Sequence, residues 1–112
     1  MDCLFCKIAA GEIPSTKVYE DEKVLVFRDI DPQAPVHLLA IPKEHIESAA
    51  EITPQNSAIV AYLFEVIARV AGEQKLDKGF RVVSNCGEHA QQSVPHLHFH
   101  LLAGRQMAWP PG

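Results

Sequence analysis

The chain is short of positive charge: 10 Lys and Arg stand against 14 Asp and Glu in 112 residues, a formal net charge of -4. A protein that neutralises many phosphates carries a basic surface, so extended contact with DNA or RNA is not expected. No run approaches the roughly 18 apolar residues of a membrane span. The most apolar stretch, residues 58–71, is interrupted by Glu65 and Arg69. The opening MDCLFCKIAAGEIP lacks a basic segment followed by an apolar one, so no signal peptide is read and a cytoplasmic location is expected. Cysteine is scarce and odd in number. Cys3 and Cys6 are too close to staple a fold and Cys86 has no evident partner, which argues against a disulfide framework. Cys86 is read as a small buried residue. Repeats, low-complexity tracts and linkers are missing too, and 47% of the residues are hydrophobic, so one domain over residues 1–112 is expected.

What is present has clear periodicity. Leu4, Phe5 and Ile8 predict a short helix over 2–10, stopped by Gly11. Residues 17–20 and 23–28 read as a hairpin across Asp21-Glu22. Asp31-Pro32-Gln33-Ala34-Pro35 cannot be regular structure, because each proline removes a donor and fixes φ. Val36 to Ile41 reads as a buried strand. Thr53 as N-cap and Pro54 at the first helical position predict the start of a long helix, with Ile59, Leu63, Val66, Ile67 and Val70 on its apolar face. Strands are predicted over 80–85 and 94–102, flanking a polar loop. The order describes an α+β domain with a mainly antiparallel sheet, one long helix and a short N-terminal helix.

Histidine is abundant, with six in the chain and three in PHLHFHLL. Alternation along a strand would put His96, His98 and His100 on one face, roughly 7 Å apart, with Leu97, Phe99 and Leu101 on the other. Such a row suits a solvated strand face, a catalytic zinc, or a nucleophilic imidazole whose other nitrogen is held by an acceptor. The spacing alone leaves these open. Glu88 is the nearest acidic residue upstream and none follows His96, which weighs against a zinc hydrolase.

The segment His96-Leu97-His98-Phe99-His100-Leu101-Leu102 resembles the signature of the histidine triad family. CLFCKIAAGEIP, FRDIDPQAPVHLLAIPKEHI, GFRVVSN, QSVPH and AGRQMAWPPG resemble its nucleotide-binding branch over nearly the whole chain. The resemblance implies hydrolysis of purine nucleoside 5'-phosphoramidates, such as AMP joined to a lysine amine. It implies His98 as nucleophile on the α-phosphorus, the His96 carbonyl as acceptor of His98 Nδ1–H, and His37 as a supporting histidine. His100 and Ser93 would contact phosphate oxygens or the leaving group. Asn85 and the backbone of Gln91, Gln92 and Ser93 would line the phosphate site. Asp29 would hold the ribose hydroxyls, with Phe5, Ile8, Phe27, Ile30 and Leu39 around the purine. Two departures stand out: Ala90-Gln91 replaces a pair of glycines common in the branch, and Pro95 replaces a common aromatic.

Cys3-x2-Cys6 has structural zinc spacing but supplies half a tetrahedral site. By resemblance to some bacterial-type members, His45 and His96 would complete it around a structural zinc, with no cofactor required for catalysis. The alternative is two unmetallated thiols. The resemblance also implies a homodimer through the long helix and its neighbouring strand, with Trp109 of the tail reaching the partner's substrate. An open sheet edge independently favours pairing. Two other functions remain: a nucleotide-binding adaptor, and a dinucleoside polyphosphate hydrolase as in a sister branch. His89 is assigned no role.

Overall fold

The computed structural model describes residues 3–112, so Asp2, read above as the start of the first helix, lies outside the described residues. The elements are α1 (Leu4–Ala9), β1 (Lys17–Glu20), β2 (Val24–Arg28), β3 (Val36–Pro42), a 3-10 turn (Ala49–Glu51), α2 (Ser57–Glu73), β4 (Phe80–Val83) and β5 (Phe99–Ala103). The strands form one five-stranded sheet in the order β1-β2-β3-β5-β4. Every neighbouring pair is antiparallel. The α+β architecture is the one read from the sequence. No helix among the described residues is long and apolar enough to cross a membrane.

β2 and β3 are apolar on both faces because both faces are covered. Val24, Val26, Leu38 and Ala40 join Leu63, Val66, Ile67 and Val70 of α2 in one core. Leu25, Phe27, Leu39 and Ile41 meet Cys3, Phe5 and Ile8 of the α1 region in a second. Alternation along β5 continues the division: Phe99 and Leu101 belong to the α2 core. His100 faces the α1 side, in the cleft described below. The β1–β2 hairpin closes on Asp21, whose carboxylate accepts from the backbone N–H of Lys23 and Val24 at 2.8 and 2.9 Å.

Several boundaries differ from the sequence reading. α2 starts at Ser57 with Asn56 before it, not at Thr53-Pro54. Thr53 Oγ1 accepts from Gln55 N–H at 3.2 Å and the Asn56 side chain bonds back to Thr53 N–H and Glu51 C=O. The capping chemistry is therefore spent on a turn that precedes the helix. The last strand begins at Phe99 rather than 94, because Pro95 has no N–H and His96 N–H bonds locally to Val94 C=O at 2.8 Å. β4 ends at Val83, where the Ser84 hydroxyl donates to His98 C=O at 3.0 Å. Cys86 is exposed, not buried, and its thiol donates to Ser48 Oγ at 3.4 Å.

The end of β5 is fixed against the proline loop. Gly104 has φ +93°, and a Cβ there would stand 2.9 Å from Pro35 Cβ. Arg105 Nε also donates to Gln33 C=O at 3.1 Å, so strand and loop hold each other. Gly104→Ala combines a left-handed backbone with a clash and is expected to destabilise the fold by about 2 kcal/mol. Urea unfolding would read this as a lower midpoint; an unchanged midpoint would show that the loop gives way freely.

Candidate functional site

A cleft of about 760 Å³ opens on the α1 side of the sheet, large enough for a nucleotide-sized ligand. Phe5 and Ile8 from α1, Phe27 from β2 and Leu39 from β3 line its apolar part, with Ile30 at the rim. Asp29, Ser93, His98 and His100 line the polar part. The structure thus brings together residues scattered from position 5 to position 100. Asn85, Gln91, Gln92, His37 and Trp109 are not among the lining residues. Gln92 is committed within its loop: its Oε1 accepts from Gly87 N–H, and its Nε2 donates to Glu47 and Val94 carbonyls. Asn85 donates to Ala90 C=O at 2.8 Å. Gln91 takes φ +60°, a backbone state glycine adopts freely, at the place where the resembling branch commonly carries glycine. Trp109 is 81% exposed.

The three histidines of the motif share the α1 side of the sheet, while Leu97, Phe99 and Leu101 enter the α2 core. His98 and His100 face the cleft with ring centroids 5.1 Å apart. His96 stands on the same side but outside the cleft, against Phe5, Cys3 and Cys6, its Nε2–H donating to Pro42 C=O at 2.8 Å. This is the alignment alternation predicts, and it extends upstream of the paired strand, which holds only His100 of the three. The cleft rings can be assigned protons from their partners, since a carbonyl only accepts and a backbone N–H only donates. His98 Nδ1 lies 2.6 Å from His96 C=O, so Nδ1 carries the hydrogen and Nε2 of the neutral ring is a free lone pair. His37 Nδ1 accepts from Gln33 N–H at 3.0 Å, so its hydrogen is on Nε2, 2.9 Å from His100 Nδ1 and 3.4 Å from Asp29 Oδ2. His100 must then accept at Nδ1 and keep its hydrogen on Nε2. Two imidazoles of opposite tautomer, one an acceptor and one a donor, stand side by side in one cleft.

Burial first, and then the neighbouring His98 and His37, lower the His100 pKa to about 4, with Asp29 opposing. Burial also lowers His37, against the pull of Asp29 and Asp31. A ring-nitrogen NMR titration is accordingly expected to find His100 neutral from pH 8 down to about pH 5. Its folded value lies below the unfolded value of about 6.5, so the folded state binds fewer protons between the two. Stability from this group is full above about pH 6.5 and is lost as pH falls toward 4. A His100 midpoint near 6.5 would contradict this account.

Behind the cleft, Cys3, Cys6, His45 and His96 bring one ligand atom each to within 4.8 Å of all the others. His45 Nδ1 and Cys3 Sγ both stand 3.3 Å from His96 Nδ1. Cys6 Sγ stands 3.3 Å from His45 Nδ1 and 3.5 Å from His96 Nδ1. A zinc tetrahedron with bonds of about 2.0–2.1 Å to nitrogen and about 2.3 Å to sulfur has edges of roughly 3.3 to 3.6 Å between these ligand pairs. The edges fit. The donor set fits too, because the Pro42 bond leaves His96 Nδ1 as a lone pair. Burial, then the adjacent Cys3, pushes the Cys6 thiol up to about 11, and a divalent cation would reverse this by stabilising thiolate. All four ligands are occupied by protein groups, the closed arrangement of a structural site. Asp29, His37 and His100 also cluster. Their 2.9 Å nitrogen contact is a hydrogen bond, shorter than a tetrahedral edge, so that cluster shares protons rather than a metal.

Sequence reasoning missed Pro14, Ser15, Thr16, Arg28 and Val94, which also line the cleft. The Ser15 hydroxyl is buried without a hydrogen-bond partner among the described residues. These residues follow or flank predicted elements, and no local pattern marks them as a wall.

Fold, imidazole pair and cage together define a small α+β protein with a nucleotide-sized cleft beside a four-ligand metal cage. Residues 2–109 match the family described as scavenger mRNA decapping enzyme C-term binding. A 14 kDa zinc-binding protein from Zea mays is 53% identical over 111 residues, covering 97% of this chain and 87% of that one. A HIT family hydrolase from Legionella pneumophila superposes with a TM-score of 0.97 at 49% identity, covering 99% and 100% of the two chains. A histidine triad nucleotide-binding protein from Candida albicans gives 0.83 at 35% identity, covering 99% and 85%. The chain belongs to the histidine triad, or HIT, family.

Proposed function

We propose that the protein hydrolyses the P–N bond of purine nucleoside 5'-phosphoramidates, releasing the nucleoside monophosphate and an amine. The observation that carries this reading is the pair of opposed tautomers: a bare His98 Nε2 beside a His100 Nε2–H, in a cleft of nucleotide size. Attack at phosphorus needs a nucleophile on one side and donors for the equatorial oxygens on the other. His98 Nε2 forms a bond to the α-phosphorus as the P–N bond to the amine breaks, and the amine leaves with a proton taken from solvent. The nucleotidyl-imidazolium so formed keeps Nδ1–H on the His96 carbonyl, which stabilises its positive charge. Water then attacks phosphorus, the bond to His98 breaks, and the attacking water gives up its proton to solvent.

The remaining roles follow from residue chemistry. His100 Nε2–H and the Ser93 hydroxyl donate to phosphate oxygens, while the backbone N–H groups of Gln91 and Gln92 are spent within their loop, on the Glu88 and Gly87 carbonyls. The Asp29 carboxylate accepts from the ribose hydroxyls. Phe5, Ile8, Phe27 and Leu39 sandwich the base, with Ile30 at its edge. His37 acts through His100. A zinc ion in the Cys3, Cys6, His45, His96 cage would supply structural cross-links only. The open edge of β4, with Phe64 and Phe80 each more than 40% exposed, supports a homodimer through α2 and β4. Trp109 would then contact the partner's substrate.

The test is turnover of lysine-linked AMP by the purified protein. Release of AMP faster than from diadenosine polyphosphates is expected. Tight AMP binding without turnover of any phosphoramidate would make the protein an adaptor. Preferential cleavage of the polyphosphate would place it with the sister branch.

A further inference from the structure

The cage and the cleft are built from shared parts. Cys3 and Cys6 stand three residues apart, on one side of α1. Phe5 and Ile8, from the same six-residue helix, are cleft wall. Phe5 also meets His98 edge-on, with centroids 5.0 Å apart, and His96 at 6.0 Å. His96 places its Nδ1 among the cage atoms and its carbonyl 2.6 Å from His98 Nδ1. Val94, another wall residue, accepts the His96 N–H at 2.8 Å. A helix this short cannot hold itself by its own hydrogen bonds, so its position is set by what it touches. On one side it packs on Leu25, Phe27, Leu39 and Ile41. On the cleft side it borders open space, and at its first turn it carries two of the four cage ligands.

We infer that Cys3, Cys6 and His45 are positioning residues for the cleft: cation binding in the cage and nucleotide binding in the cleft tighten each other through α1 and the His96 backbone. The nucleotide half of this statement rests on the function proposed above; the effect on α1 and on the His98 tautomer does not. Coupling between sites is reciprocal by thermodynamic necessity, so it can be read from either end.

The experiment compares zinc-loaded protein with protein stripped by a chelator. It uses AMP titration calorimetry, amide hydrogen exchange and ring-nitrogen NMR of His98. Stripping is expected to weaken AMP binding about tenfold, within the usual range of such couplings. It should speed exchange in residues 4–9 and 96–98 while α2 stays protected, and replace the single Nδ1–H form of His98 by a mixture of tautomers. In the opposite direction, saturating AMP should slow zinc loss to the chelator about tenfold. The His45→Ala protein, which leaves α1 and the cleft wall intact, should reproduce the stripped pattern when its cage is empty. Unchanged AMP affinity, unchanged α1 exchange or an unchanged His98 tautomer overturns the proposal. So does loss of α2 protection on stripping, which would make the cation a staple of the whole fold. Zinc-loaded protein that does not bind AMP at all overturns the nucleotide reading of the cleft instead, and the exchange and His98 measurements alone then decide the coupling.

Discussion

His98→Ala should abolish release of AMP from lysine-linked AMP, with a loss of at least about 10⁴-fold in kcat, the scale seen when a covalent nucleophile is removed. The magnitude follows from what alanine cannot replace. His98 is the cleft imidazole whose neutral tautomer carries its lone pair on Nε2, and that tautomer is imposed by the 2.6 Å bond from Nδ1–H to the His96 carbonyl. His100 cannot substitute, because the chain Gln33 N–H to His37 to His100 keeps its hydrogen on Nε2, where a nucleophile would need a lone pair. Water is left as the only attacking group, with the phosphate and ribose contacts still in place. AMP binding by the variant should therefore stay within a few-fold of wild type. A variant that retains more than a hundredth of the turnover would refute the covalent route, and one that loses AMP binding outright would locate the fault in the cleft rather than the chemistry.

The histidine row shows how much of this site was legible and where legibility stopped. Alternation correctly separates Leu97, Phe99 and Leu101, all buried, from the polar side of the segment. It places His96 on the α1 side as well, but does not say that His96 meets Cys3 and Cys6 instead of lining the cleft, because Val94 to His98 is shaped by Pro95 and by the bond of Leu97 N–H to Ile46 C=O at 2.6 Å. The split matters chemically: one histidine serves the cage and two face the cleft. The Cys3-x2-Cys6 spacing marked half a metal site, but its completion by His45 and His96 depends on how the end of β3 meets the lead-in to β5. The continuous apolar runs of β2 and β3 likewise announced burial on both faces without saying what covers each. Thr53-Pro54 reads as a helix start because its residue types suit one; Asn56 and Glu51 draw the same groups into a turn. Local chemistry names the participants, and tertiary contacts decide which of their possible bonds are made.

Leu101→Ala should have the largest effect on stability while leaving the chemistry of the cleft in place. Leu101 is 1% exposed and sits at the centre of β5, opposite Leu38 of β3 and Val82 of β4. Its side chain points into the α2 core, away from the cleft faced by its neighbour His100. Truncation removes buried methyl groups and leaves a cavity between two rigid layers, a loss of about 3 kcal/mol. Against a total stability of roughly 5–15 kcal/mol this is a large fraction. With a urea slope near 2 kcal/mol per molar, the unfolding midpoint should fall by roughly 1.5 M with the slope unchanged. Turnover per folded molecule, measured well below the transition, should remain within a few-fold of wild type. Hydrogen bonds to β3 and β4 on both sides hold the β5 backbone in register, and the His37–His100 contact is made on the opposite face. A drop of more than tenfold in turnover by folded protein would mean that packing beneath β5 sets the position of His100, and that the two faces of the sheet do not act independently.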